Sequence, residues 1–133
     1  MSEKLEGRAE DLLKGKNFAT VSTLRPDGSV HAAPVWVDVQ EGLPALNTAE
    51  GRAWPRNLER DPRITLTVQN MENPYEYVQV RGRVAERTHE GADQHIDALA
   101  KKYMGVEEYP LRQPGEQRVI IRVAPEHVHV QGG

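Results

Sequence analysis

Along the chain the spacing of apolar residues changes period several times, and each change marks an element. Leu5, Ala9, Leu12 and Leu13 recur at helical spacing. They predict a covering helix over residues 3–14, with Gly15 placed to supply a left-handed closing residue. From Phe18 to Leu24 the period drops to two, with Phe18, Thr20 and Ser22 alternating against Ala19, Val21 and Thr23. This alternation predicts a strand, and Arg25-Pro26-Asp27-Gly28 carries the turn chemistry that reverses it. A return strand is expected over 29–39, a turn at Glu41-Gly42 and a short strand over 43–47, so that three strands form a meander.

Residues 48–62 interrupt the alternation. Pro55 fits the first turn of a short helix, and Pro62 ends it. A strand over 63–69, a break at Glu72-Asn73-Pro74 and a long strand over 75–87 follow. Ala92, Ile96, Leu99, Ala100 and Tyr103 share one face of a further helix. A polar loop with Pro110, Pro114 and Gly115 then leads to a last strand over 118–123. The pattern is mainly β with flanking helices. Six antiparallel strands of these lengths favour a closed or nearly closed small barrel, because closure removes exposed strand edges. A chain of 133 residues has room for one hydrophobic core, so residues 1–133 are read as a single domain.

Composition narrows the chemistry. The absence of cysteine excludes disulfides, a thiolate nucleophile and thiolate-held zinc or iron–sulfur centres. No apolar run is long enough to cross a bilayer as a helix, and the charged stretch from Met1 to Glu6 lacks the apolar core of a secretory signal. A cytoplasmic location without a membrane partner is the expectation. A net charge of −3 supplies no broad basic field for nucleic acid, which leaves a small-molecule substrate or a small anionic ligand. His127 and His129 share a strand face but have no third ligand at a diagnostic spacing. His31, His89 and His95 are scattered and are read as surface histidines, so no metal site is expected. Ser22 and Ser29 lack the Gly-x-Ser-x-Gly context of a hydrolase nucleophile. Asp93 and Asp97 beside Lys101 fit surface pairing along a helix.

Two segments carry candidate site chemistry. Thr48, Gly51, Arg52, Arg56 and Asn57 lie where a strand gives way to a helix. Backbone N–H groups, a hydroxyl and two guanidinium groups there suit a phosphate. Arg52 and Arg56, spaced i, i+4, could converge on one anion. The same arginines equally describe a solvated helix face paired with Glu50, Glu59 or Asp61. In Ala33-Pro34-Val35-Trp36-Val37, a proline that cannot donate to a ladder precedes a large aromatic. This could leave backbone free to face a planar ring, or be a core strand with Trp36 as packing. Tyr75 and Tyr77 project onto one strand face, to cover a ligand or to meet a second subunit.

Taken in order, these motifs resemble a known family. Phe18-Ala19-Thr20-Val21-Ser22-Thr23-Leu24-Arg25-Pro26-Asp27-Gly28, Pro34-Val35-Trp36, Gly51-Arg52 and the run from Arg56 to Arg63 are similar to the flavin/deazaflavin oxidoreductases. So are Asn73-Pro74-Tyr75, Arg81-Gly82-Arg83-Val84 and Lys101-Lys102-Tyr103. These enzymes form part of the pyridoxamine 5′-phosphate oxidase-like split-barrel class, and the nearest branch uses the deazaflavin coenzyme F-420. The resemblance implies a six-stranded antiparallel split barrel that works as a homodimer with its redox site at the subunit interface. It implies a cofactor-binding set of Pro34, Val35, Trp36, Asn47, Thr48, Gly51, Arg52, Arg56 and Asn57, with Tyr77 and Arg118 contributed by the second subunit. The ring would rest beside Pro34-Val35-Trp36 and the phosphate would meet the segment from Thr48 to Asn57. The implied activity is hydride transfer between F-420 and a small unsaturated substrate. Other branches hold flavin mononucleotide (FMN) in the same fold, and a cofactor carrier without turnover is a third possibility. Trp54 stands where relatives commonly carry lysine, which leaves Arg52 and Arg56 to neutralise the phosphate. No catalytic acid or base is assigned.

Overall fold

The computed structural model describes residues 3–132. Met1 and Ser2 of the charged N-terminal stretch, and Gly133 at the end of the domain range, lie outside the described residues. The elements run α1 (Gly7–Lys14), β1 (Ala19–Leu24), β2 (Val30–Val35), β3 (Val37–Gln40), β4 (Leu43–Ala49), α2 (Ala53–Arg60), β5 (Arg63–Asn70), β6 (Asn73–Thr88), α3 (Ala92–Met104) and β7 (Arg118–Gln131). The seven strands form one antiparallel sheet in the order β2-β1-β5-β6-β7-β4-β3. None of the described helices is long and apolar enough to cross a membrane.

The expected return strand over 29–39 is in fact two strands. Residues 30–35 pair with β1, residues 37–40 pair with β4, and Trp36 between them belongs to neither. The three-strand meander is therefore replaced by two hairpins whose outer strands, β2 and β3, are the two edges of the sheet. Because one residue joins those edges, the sheet must curl until they meet at Trp36, while no ladder closes them. The result is a split barrel rather than a closed one. Pro34 sits on an edge strand, where its missing N–H costs no ladder bond on the open side.

Side chains of α3 satisfy the backbone where the ladder breaks. Lys102 Nζ donates to Val37 O at 2.6 Å and to Leu13 O at 2.9 Å. Tyr103 Oη accepts from Val37 N at 3.2 Å and donates to Asn17 O at 2.7 Å. Buried backbone groups left unpaired would each cost a hydrogen bond, so α3 is fastened to the corner by the groups the break exposes. The face of α3 read from the sequence is the buried one, with Ala92, Ile96, Leu99, Ala100 and Tyr103 all inside.

The main core lies between the curled sheet and α1. Leu12 and Leu13 pack there with Val21, Val37, Leu46, Leu66, Val68, Val78, Val80 and Ile121. The first helix is shorter than the periodicity suggests. Gly7 takes φ +59°, and the chain before it runs extended to bond Pro125 O through Glu3 N. Gly15 is not left-handed, with φ −71°. Its value is space, since a Cβ would meet Asn17 Nδ2 at 2.9 Å. The last strand runs on to Gln131 because it continues its pairing with β6, across register shifts at Arg81/Gly82 and Val84/Glu86.

Candidate functional site

The corner at Trp36 opens one wall of a cleft of about 520 Å³. Its lining is apolar at Phe18, Ala33, Pro34, Val35, Trp36, Trp54, Ile96 and Leu111, and polar at His31, Asn47, Thr48, Arg52 and Arg118. Trp36 stacks on Tyr103 with centroids 5.3 Å apart and planes within 4°, and Phe18 stacks on the same tyrosine at 5.5 Å. Tyr109 meets Trp36 edge-on at 6.0 Å and lies under the Arg118 guanidinium, 5.2 Å from its centroid. Such stacks hold large rings at fixed orientation, so the aromatic wall is formed before any ligand arrives. The half-buried Trp36 ring packs on Tyr103 of α3 and lines the cleft.

Asn47 and Arg118 belong to a chain of hydrogen bonds that runs behind the cleft. Arg118 Nε donates to Asn47 Oδ1 at 2.9 Å, and Arg118 Nη1 pairs with Glu116 Oε1 at 3.0 Å. The second oxygen of Glu116 lies 3.6 Å from Arg52 Nη2. Asn47 Nδ2 donates to Ala92 O at 2.8 Å and lies 3.1 Å from His95 Nδ1, while His95 Nε2 lies 2.9 Å from Asp38 Oδ1. Two polar atoms at the cleft are buried without a hydrogen bond among the described residues, namely Thr48 Oγ1 and His31 Nδ1. Buried polar atoms are nearly always paired, so two unpaired ones on residues that line one cleft are unusual.

Seven of the residues singled out from sequence line this cleft: Pro34, Val35, Trp36, Asn47, Thr48, Arg52 and Arg118. Arg118 lines the cleft of its own chain. Gly51 precedes Arg52 at φ +93°, the left-handed turn that leads into α2. Arg56 and Asn57 are not brought to the cleft. They border a separate hollow with Arg25, Pro26 and Arg60, and the Asn57 amide is buried donating to Thr23 Oγ1 at 3.1 Å. Arg52 is the residue before the helix, with extended backbone at φ −75° and ψ 161°, so helical i, i+4 spacing does not aim it with Arg56 at one anion. Tyr77 packs near His129 on the β6–β7 ladder, away from the cleft. Trp54 is buried and lines the cleft.

Several contributors were not legible as site residues. His95 is a buried member of the α3 face rather than a surface histidine. Asp93 and Asp97 pair with Arg112 at 3.2 and 2.7 Å, and Asp97 also accepts from Tyr109 N at 2.9 Å. Lys101 turns instead toward Glu107 at 3.8 Å. These bonds pin the 105–117 loop onto α3 and place Tyr109 and Leu111 over the cleft. Glu116 was hidden in a polar loop, although its spacing two residues before Arg118 was a readable sign of same-side pairing. No three His, Asp or Glu side chains cluster to hold a metal among the described residues.

The pyridoxamine 5′-phosphate oxidase family matches the chain over residues 5–132. No curated protein matches it by sequence. Among solved structures, an F-420 reductase is 25% identical with a TM-score of 0.80, the alignment covering 93% of this chain and 98% of that one. A conserved hypothetical protein of Mycobacterium tuberculosis is 20% identical at a TM-score of 0.72, over 98% of this chain and 88% of its own. General stress protein 26 of Bacillus anthracis is 16% identical at 0.65, over 91% and 88%. The last two share the fold.

Proposed function

The chain belongs to the pyridoxamine 5′-phosphate oxidase family, and from that premise we propose that it is an oxidoreductase using the deazaflavin coenzyme F-420 to reduce a small unsaturated substrate. The observation that carries the reading is the cleft itself. One cleft is lined both by the rings of Phe18, Trp36, Trp54 and Tyr109 and by Thr48, Arg52 and Arg118, which suits a ligand that is planar at one end and phosphorylated at the other. The likeness to an F-420 reductase over almost the whole chain supports the choice of cofactor.

The residues present fit such a group. Thr48 Oγ1 and Arg52 would hold the phosphate, with Gly51 letting the backbone approach it, and the Pro34–Trp36 corner would bear the ring. When bound, the deazaflavin supplies the hydride. The chain's own part is to bind, orient and keep water out. Stacking of Phe18, Tyr103 and Trp36 sets the plane of the wall, Leu111 and Tyr109 line the cleft beside it, and Arg118 is held in place by Asn47 and Glu116. Orientation of this kind lowers a barrier without any proton-transferring side chain. The protein is proposed to act as a homodimer. Phe18 and Leu111, which line the cleft, are 45% and 60% exposed, and Tyr75 near the start of β6 is 80% exposed, apolar surface that a second copy would cover. A monodisperse monomer at micromolar concentration would remove the dimer.

One observation favours FMN as the second reading. Glu116 lies between Arg52 and Arg118, so two cations and one anion leave the polar side with a net charge of one, which suits a ligand making fewer cationic contacts. The test is a fluorescence titration of wild type and Arg52→Ala with F-420, with FMN and with a phosphate-free deazaflavin fragment. Loss of one charge-assisted hydrogen bond should weaken F-420 by about tenfold to a hundredfold and leave the fragment nearly unchanged. Tight binding of FMN with none of F-420 would replace the first reading by the second.

A further inference from the structure

We propose that His95, which does not line the cleft, is a positioning residue that fixes the Arg118 guanidinium through Asn47. The argument begins with the Asn47 amide. Its Nδ2 faces the Ala92 carbonyl at 2.8 Å and its Oδ1 faces Arg118 Nε at 2.9 Å. A carbonyl only accepts and a guanidinium only donates, so the amide has a single allowed orientation. Nδ2 then directs its second hydrogen at His95 Nδ1, 3.1 Å away, and that nitrogen must accept. The ring proton therefore sits on Nε2 and is donated to Asp38 Oδ1 at 2.9 Å.

Every donor and acceptor is thereby set along a line from Asp38 on β3, through α3 and β4, to Arg118 on β7. The His95 side chain is only 2% exposed and that of Arg118 is also 2% exposed. Buried networks that are fully satisfied hold one geometry, whereas losing one member leaves its neighbour unpaired and free to reorient. A leucine at 95 would pack beside Ile96 and Leu99 with no desolvation cost, but would leave the second hydrogen of Asn47 Nδ2 without an acceptor. The amide that holds Arg118 Nε would then be fixed by Ala92 alone, with Glu116 still pairing with Nη1.

Side-chain geometry separates this role from packing. In His95→Asn, Oδ1 occupies the place of Nδ1, which keeps the acceptor for Asn47 and drops Asp38. In His95→Gln, the amide falls at the place of Nε2, which keeps Asp38 and drops Asn47. The first readout needs no ligand: hydrogen exchange of the Arg118 Nε–H resonance, assigned by its loss in Arg118→Lys. Wild type and His95→Asn should exchange slowly, and His95→Gln and His95→Leu about tenfold faster, the size of one ordinary hydrogen bond. The second readout, which rests on the cofactor reading above, is F-420 affinity. It should fall about tenfold in His95→Gln and His95→Leu and by less than about threefold in His95→Asn. Slow Arg118 exchange in His95→Gln would overturn the proposal, and the Asn/Gln pair decides it even if His95→Leu does not fold. If the exchange pattern appears in a protein that does not bind F-420, the positioning role holds and the cofactor assignment alone falls.

Discussion

Replacing Thr48 by valine should move stability and binding in opposite directions. Thr48 is 1% exposed on β4, and its hydroxyl has no hydrogen-bond partner among the described residues. An unpaired buried hydroxyl costs about 1–3 kcal/mol, and valine keeps the β-branched shape while removing it. The ligand-free protein should therefore gain roughly that amount. With an unfolding entropy of about 2.1 cal/mol/K per residue, a chain of 133 residues shifts its Tm by about 3–4 °C per kcal/mol, so a rise of about 4–10 °C is expected. The same change takes from a bound phosphate one charge-assisted hydrogen bond of about 1.5–3 kcal/mol, and the Kd should rise by about tenfold to a hundredfold. Differential scanning calorimetry without ligand and a fluorescence titration with F-420 read the two effects separately. A lower Tm in the valine variant would mean that the hydroxyl is already satisfied in the free protein. A higher Tm with unchanged affinity would place the phosphate elsewhere.

Other outcomes follow from the same structure. Gly82 lies at a register shift between β6 and β7, where an added Cβ would stand 2.1 Å from Ala124 O. Gly82→Ala should destabilise by about 1–3 kcal/mol, as forced overpacking does, and an unchanged urea midpoint would refute the close approach. Burial pulls the Lys102 ammonium from its ordinary 10.5 down to about 8, and burial pushes the neighbouring Tyr103 phenol up to about 12. Between about pH 8 and 10 the unfolded chain holds the Lys102 proton that the folded protein has released, so stability rises with pH. Above about pH 10 the sign reverses, because folded Tyr103 keeps a proton that the unfolded chain loses. Urea midpoints at pH 8 and 10 should show this rise in wild type and not in Lys102→Met. Arg8, with Asn70, holds the Glu76 carboxyl down at about 2 and ties α1 to β6. That contribution is present above the ordinary carboxylate value and is lost as pH falls toward 2, so Glu76→Gln should flatten the acid limb of the stability profile.

Periodicity in the sequence determined most of the elements and their buried faces. Ala9, Leu12 and Leu13 on α1 and Ile96, Leu99 and Tyr103 on α3 are in the core as read, and Leu5 is buried although it precedes the helix, because an apolar stripe reports directly which side must leave water. The family, and with it the split barrel, could also be recognised from the order of motifs between Phe18 and Tyr103. Strand partners were another matter. Alternation records that one face is buried and carries no information about which neighbour supplies the ladder. A run from 29 to 39 therefore looked continuous, although Trp36 sends its halves to opposite edges of the sheet. The hydrogen-bond network behind the cleft was hidden for a related reason. Asp38, His95 and Glu116 are spread over some eighty positions with nothing in the spacing to join them to Asn47 and Arg118, and His95 read singly as a surface residue, since polar side chains usually are. Only the curling of the sheet, with α3 fastened across its open corner, brings them within hydrogen-bond distance. That same geometry separates Arg56 from Arg52, two residues that the linear spacing had joined.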